Sequence, residues 1–261
     1  MLDLSILISS YDPKIGEIDK LLSSIPQSCD LYSYEVVLVI QSSQSFKKQI
    51  FEFQVLELFT KYSIDNFKID FIDSVGVTRS RNHALSLASG HVIVFCDDDV
   101  IYLPNALNLL IEEHYRNPSI DFYTTKVKNP RLFDFKPYKT TKFCHTTLSI
   151  LSCGTIEISV KARVKEYAKF PHDLGAGALL PNCDEPVFLS RIMKFGGVGY
   201  YIPLGVCIHP ECSSGQTLAT KEEWLSRLTA FRYIFGKIPG SGLFLLFCLK
   251  KYKLLFKFLV K

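Results

Sequence analysis

Four short apolar runs, at residues 4–9, 35–40, 68–72 and 92–96, alternate with three segments whose apolar residues recur at helical spacing. In the first of these segments Ile15, Ile18, Leu21, Leu22 and Ile25 make one face. The second covers residues 46–62 and the third residues 78–89, where Gly90 is the predicted C-terminal stop. Strand and helix in strict alternation restrict the chain to right-handed βαβ units built on a parallel sheet. In such sheets ligands bind beyond the carboxyl ends of the strands. Here that edge collects four loops, at residues 9–12, 41–43, 74–81 and 97–99.

The last loop is three consecutive carboxylates, Asp97, Asp98 and Asp99. Hard divalent cations such as Mg²⁺ and Mn²⁺ take oxygen ligands and are commonly held by one or two carboxylates plus substrate phosphates. A solvated acidic turn is the plain alternative, and the position at the end of the fourth strand favours the metal. Past a helix at residues 104–116 the alternation fails. Residues 121–147, rich in Lys, Thr, Pro and aromatics, read as an excursion on the acceptor side, and residues 155–160 read as a short strand. The second informative stretch is 170–210. It carries Gly175, Gly177, the acid pair Asp184 and Glu185, a helix through Arg191, an aromatic strand and His209.

The order of these motifs resembles the GT-A glycosyltransferases of family 2 over residues 4–210. Ser9, Ser10, Tyr11 and Asp12 look like the family's opening nucleotide-binding strand, and Arg81 with Asn82 like its Arg-Asn pair. Asp97 and Asp99 fit its Asp-x-Asp motif, and His209 fits a histidine that closes the domain in many members. The resemblance implies a Rossmann-like α/β/α sandwich with a mostly parallel central sheet. It also implies Mn²⁺ or Mg²⁺ held by Asp97, Asp99 and His209, and donor contacts from Ser10, Tyr11, Asp12, Gln41, Arg81, Asp97 and Asp98. The implied reaction moves a sugar, with inversion, from a nucleoside-diphosphate donor, expected to be UDP-linked, to a hydroxyl of a glycan or lipid-linked acceptor in bacterial surface polysaccharide synthesis.

Two departures stand out. Ile40 and Gln41 occupy the place where the family often has an acid near the base or ribose. The acceptor-side pair, usually Glu then Asp with the second as general base, is reversed to Asp184 and Glu185. Counting six residues back from Arg191 puts Glu185 in the base slot, and Asp184 stays a competitor. Asp98 as a turn cap or a ribose contact, and His209 as a metal ligand or an ordinary core histidine, stay open as well.

Charge divides the chain unevenly. The net charge is +4, yet from Trp224 onward there are eight Lys or Arg and no acid, which leaves −4 on the preceding residues. A nucleic-acid binder carries its positive field on the folded body, so no nucleic-acid partner is expected. Thr220 and Glu223 form a capping box ahead of a helix with Trp224, Leu225, Leu228 and Phe231 on one side. Residues 243–249 are too few to span a bilayer. Lys250, Lys253, Lys257 and Lys261 then recur with Leu254, Leu255, Phe258 and Leu259 between them, a pattern suited to an amphipathic helix on anionic lipid. The expected organisation is a glycosyltransferase domain at 1–219, with a donor half at 1–100 and an acceptor half at 101–219, and a basic membrane-associating tail at 220–261.

Eight cysteines scattered through apolar runs, without Cys-x-x-Cys spacing, read as reduced core residues. With Asp3 and only a strand-length apolar start, no signal peptide is expected, so the enzyme is placed in the cytoplasm at the inner face of the membrane. A sugar nucleotidyltransferase would need a Gly-rich basic loop, which residues 9–14 lack. A non-catalytic nucleotide-sugar or glycan-binding module is the remaining alternative.

Overall fold

The computed structural model describes residues 2–210, 218–252 and 254. Its first half is the predicted alternation: β1 (Leu4–Tyr11), α1 (Ile15–Ser28), β2 (Tyr34–Gln41), α2 (Lys48–Lys61), β3 (Phe67–Ile72), α3 (Val77–Leu87) and β4 (Val92–Cys96). The four strands lie in the order β3-β2-β1-β4 and every pairing among them is parallel. Strand residues point alternately to opposite faces. Leu4, Ile6 and Ile8 therefore join Val36, Leu38 and Ile40 in a core covered by α1, α2 and α4 (Ala106–Arg116). Leu7, Val37, Val39, Ile93 and Phe95 face the other way, under α3 and α5 (Asp184–Lys194). Both faces of β1, β2 and β4 are buried, which is why they read as continuous apolar runs, whereas the edge strand β3 has no fully buried residue.

The second half extends the sheet with antiparallel and parallel neighbours. The chain adds β5 (Ile101–Tyr102), β6 (Phe122–Lys128), β7 (Phe143–Cys144), β8 (Ile158–Lys161) and β9 (Gly199–Ile208), giving the path β3-β2-β1-β4-β8-β6-β9-β5 with β7 on β9. Strands β4 and β8, and β8 and β6, are antiparallel, while β6 and β9 are parallel. The stretch read as an excursion thus contains an internal strand. Thr124 and Thr125 concealed it: both are buried, and each hydroxyl has a partner, His145 Nε2 at 2.7 Å and the Glu157 carbonyl at 3.2 Å. The predicted strand at 155–160 begins only at Ile158, after a 3₁₀ turn over Thr155–Glu157.

Gly90 does not stop α3, which ends at Leu87. A Cβ there would lie 2.5 Å from the Leu4 carbonyl carbon and the Ser5 nitrogen, so this glycine admits the backbone of β1. Cys29, Cys96 and Cys207 are buried, whereas Cys144 is exposed.

The two C-terminal helices are α6 (Lys221–Phe235) and α7 (Lys237–Lys250). The capping box forms as the sequence predicts: Thr220 Oγ1 accepts from the Glu223 amide, and the Glu223 carboxylate accepts from the Thr220 amide. Ala230 and Ile234 of α6 pack on Val187 of α5 and on Leu174, and Leu225 is exposed rather than buried with Trp224. Helix α7 lies against α6 through Trp224, Phe231, Phe244 and Phe247, with ring centroids 5.9–6.5 Å apart. No helix among the described residues is long and apolar enough to cross a membrane. Of the predicted lysine stripe, Lys253, Lys257 and Lys261 lie outside the described residues, as do Leu255, Phe258 and Leu259.

Candidate active site

Parallel register brings the acid loop to the sheet edge. Ile8 is opposite Cys96, so Ser9 and Ser10, which stay paired with β2, run past the end of β4 beside Asp97 and Asp98. There a cleft of about 740 Å³ opens, reaching from Ser10, Tyr11 and Asp97 to Asp99 at one end to Leu151, Phe231 and Phe247 at the other, with Arg81, Asp184, Glu185 and His209 in its walls. A smaller recess of about 320 Å³, lined by Tyr11, Asp12, Lys14 and Asp98 among others, adjoins the donor end.

Arg81 is the electrostatic centre. It is buried on α3, with Nη1 2.7 Å from Asp184 Oδ2 and 3.9 Å from Glu185 Oε1, and Nη2 3.3 Å from Asp97 Oδ1. Burial works against its charge, and the carboxylates of Asp184, Asp97 and Glu185 more than offset that, holding it above the ordinary arginine value. It thus joins the acid loop after β4 to the acid pair that opens α5.

The two adjacent acids at the start of α5 are sorted in opposite directions. Asp184 is buried against Arg81, and burial followed by the neighbouring Glu185 charge raises it above the usual carboxylate range while Arg81 opposes. Glu185 keeps partial exposure to the cleft, and its Oε1 accepts a 2.7 Å hydrogen bond from Thr155 Oγ1. The loop before α5 can lie this close because Gly175 and Gly177 take φ of 101° and 77°. A Cβ on Gly175 would stand 2.8 Å from Thr78 Cγ2 and 3.1 Å from Asp184 Cγ.

At the donor end the three aspartates have separate surroundings. Asp97 pairs with Arg81; Asp98 accepts from Ser10 Oγ. Asp99 Oδ1 is buried without a hydrogen-bond partner, and His209 Nε2 stands 3.4 Å from it. His209 Nδ1 is 2.8 Å from the Pro210 carbonyl, to which it donates, and Nε2 is the ring nitrogen that faces Asp99. Burial raises Asp98 and Asp99 above the ordinary carboxylate range. An orphaned carboxylate oxygen facing an imidazole nitrogen is a donor set that a divalent cation fits. Among the described residues no three His, Cys, Asp or Glu side chains form a ready cage, so water or substrate oxygens would supply the other positions.

The remaining predicted contacts divide. Ser10 and Tyr11 line the cleft, Tyr11 with 56% of its surface free. Asp12, at φ 45°, lines the recess, and its Oδ1 accepts from the Ser43 amide at 2.7 Å. Gln41 is not brought to the cleft: it is buried, and its Nε2 donates to the carbonyls of Ser74 and Gly76, tying β2 to the loop before α3. His83, paired with Asp70 at 2.6 Å, and His91, stacked on Tyr115, stand apart from the cleft.

Several cleft residues escaped the sequence reading. Thr155 is one. Asn182 is another, buried in the wall with Nδ2 lacking a hydrogen-bond partner. Lys136 and Glu157 form a 2.6 Å ion pair there, joined by Tyr138 Oη at 2.9 Å from Glu157. Thr155 and Glu157 lie in the turn that had been read as strand, and Lys136 and Tyr138 in the stretch read as an excursion.

A family model described as "Glycosyl transferase family 2" matches residues 5–172, more than half of the chain. Among solved structures, S. aureus TarS aligns over 88% of this chain and 39% of its own, with a TM-score of 0.64 and 16% identity. The chain thus spans well under half the length of that protein. S. aureus TarS 1-349 in complex with UDP-GlcNAc aligns over 93% of this chain and 69% of its own, with a TM-score of 0.67 and 16% identity. Both likenesses show the GT-A-like fold. No curated protein matches the sequence.

Proposed function

The chain belongs to glycosyl transferase family 2, and from that premise we propose that it moves a sugar from a UDP-linked donor to a hydroxyl of a glycan or lipid-linked acceptor, with inversion. The observation that carries the reading is the sorting of Asp184 and Glu185. Arg81 draws Asp184 into the protein, while Thr155 holds Glu185 at the cleft surface. A hydroxyl is a poor nucleophile until its proton is removed in the transition state. Glu185 is the carboxylate placed to take that proton, and Asp184 is the one placed to fix Arg81.

Asp99 and His209 would hold Mn²⁺ or Mg²⁺, with Asp97 near enough to contribute through water. The cation, when bound, would neutralise the donor diphosphate and the charge developing on the leaving group. Ser10 and Tyr11 would receive the nucleoside, Tyr11 offering an open ring face for the base. A UDP donor is favoured by the TarS fragment's likeness, since that protein was solved with UDP-GlcNAc. Attachment to the cytoplasmic face of a membrane is favoured by α7, where Leu245, Leu246 and Leu249 are more than 60% exposed beside Lys250. A surface polysaccharide is the product class this combination suits.

The test is turnover of a panel of nucleotide sugars with Mn²⁺ or Mg²⁺, read as release of nucleoside diphosphate. Glu185→Gln should lower kcat by about 10²–10⁴, and Asp99→Ala should abolish metal-dependent turnover. Full turnover in Glu185→Gln would remove that residue from the role, and a wild-type chain inert toward every donor and metal would remove the reading itself.

A further inference from the structure

The cleft is longer than the donor machinery it contains. Its lining also includes Leu151, Ala230, Phe231 and Phe247, an apolar arm, with Arg227 one turn before Phe231 on α6. This arm adjoins the acid pair: Leu151 and Ala230 pack in one cluster with Cys183, the residue immediately before Asp184 and Glu185. Its aromatic side belongs to the C-terminal helices, with the rings of Phe231 and Phe247 5.9 Å apart and Trp224 5.9 Å behind Phe247. The same helix that presents Phe247 to the cleft presents Leu246 and Leu249 to the exterior, 61% and 63% exposed.

We propose that this arm is a subsite for an apolar group carried by the acceptor, so that the acceptor is a glycoside of an alkyl or comparable hydrocarbon chain rather than a free sugar. The inference rests on the glycosyl-transfer reading above. An acceptor hydroxyl at Glu185 leaves the rest of that molecule to run along the arm. Arg227 aside, whose Nη1 donates to the Glu223 carbonyl at 3.3 Å, the arm's side chains offer no hydrogen-bonding group to replace the water that carbohydrate hydroxyls would lose, whereas a hydrocarbon chain loses nothing by leaving water and buries surface on both rings.

Trp224 is the single tryptophan and reports on the arm without any turnover. Its fluorescence is followed while n-octyl β-glucoside, kept below its micelle concentration, or methyl β-glucoside is added to the full chain. The expected result is a saturable change with the octyl compound and none with the methyl compound. Phe231→Ser and Phe247→Ser should each weaken octyl binding about tenfold or more, while Phe231→Leu and Phe247→Leu, which keep the helix packing apolar, should weaken it less. A flat titration overturns the proposal, as does a loss in Leu246→Ser equal to that in Phe247→Ser, because the detergent would then be on the outer face of α7. Saturable binding in the arm of a chain that turns over no nucleotide sugar would instead sink the glycosyltransferase reading and leave an apolar pocket standing.

Discussion

Adjacent acids with opposite duties are the residue-scale problem in this protein, and what separates them is supplied from far along the chain. Arg81 reaches Asp184 across 103 residues and Thr155 reaches Glu185 across 30. Sequence spacing from Arg191 selected Glu185 but left Asp184 in competition, since neither partner could be assigned before folding. Thr155→Val should therefore lower kcat by about tenfold to a hundredfold through a misplaced carboxylate, with the donor KM unchanged and Thr155→Ser restoring most of the rate. A merely structural threonine would show equal losses in Val and Ser variants, or none. A second residue carries fold rather than chemistry. Glu35 is buried, and its carboxylate accepts from Ser5 Oγ at 2.6 Å, the Ser89 amide at 2.6 Å, Ser89 Oγ at 2.8 Å and Lys68 Nζ at 2.8 Å. Burial opposes the charge, but these donors outweigh it and lower the group from 4.5 to about 2. The folded state thus prefers the ionised form, so the stabilisation is complete above pH 4.5 and is lost as pH falls toward about 2. It amounts to about 3 kcal/mol. Urea unfolding of wild type and Glu35→Gln should differ by that order near neutrality and converge at the acid end. A constant difference across the range would exclude the carboxylate as its source.

At the scale of elements, the first hundred residues were legible throughout and the rest in part: α4, α5 and β9 stand where the sequence puts them, and β6 does not. Strands β1, β2 and β4 are buried on both faces, so their apolar runs announce them, and the edge strand β3 shows itself by its place in the alternation. Strand β6 is equally internal but is built as Phe122–Lys128 with buried threonines, and only hydrogen-bond partners elsewhere in the fold make that affordable. Two neutral histidines belong to the same region. His114 of α4 has Nε2 2.9 Å from Ser159 Oγ on β8, and His145 has Nε2 2.7 Å from Thr124 Oγ1 on β6. Burial, followed by the Lys161 charge, lowers His114 from 6.5 to about 3, and burial lowers His145 to about 4. The unfolded chain therefore binds protons that the folded one refuses, and stability falls as pH drops below 6.5. For His114 alone the loss between pH 6.5 and about 4 is on the order of 3 kcal/mol. His114→Gln should flatten that limb of the stability profile while leaving the Glu35 limb below it in place. An unchanged slope between pH 6.5 and about 4 would place the protons elsewhere.

Across the whole molecule, charge and cleft converge on the C-terminal helices. The body before Trp224 carries −4 and the remainder +8, so an anionic surface repels one part and attracts the other. Five lysines, Lys250, Lys251, Lys253, Lys257 and Lys261, lie beyond the aromatic pair that lines the acceptor arm. At about 1 kcal/mol for each charge near an anionic leaflet, they supply about 5 kcal/mol at low salt. Salt should remove most of it, because the screening length shrinks from about 10 Å at 0.1 M to about 3 Å at 1 M. The full chain should therefore float with phosphatidylserine-containing vesicles at low salt, detach as salt rises, and ignore purely zwitterionic vesicles. Deleting residues 243–261 is a blunt comparator, since it also removes Phe244 and Phe247 from their packing on Trp224 and Phe231. Replacing the five lysines by glutamine keeps those rings, so loss of flotation in that variant isolates charge, and retained flotation isolates the apolar face of α7. If wild type, the five-glutamine chain and the deletion all float alike, neither part of the tail holds the membrane and another surface of the molecule does.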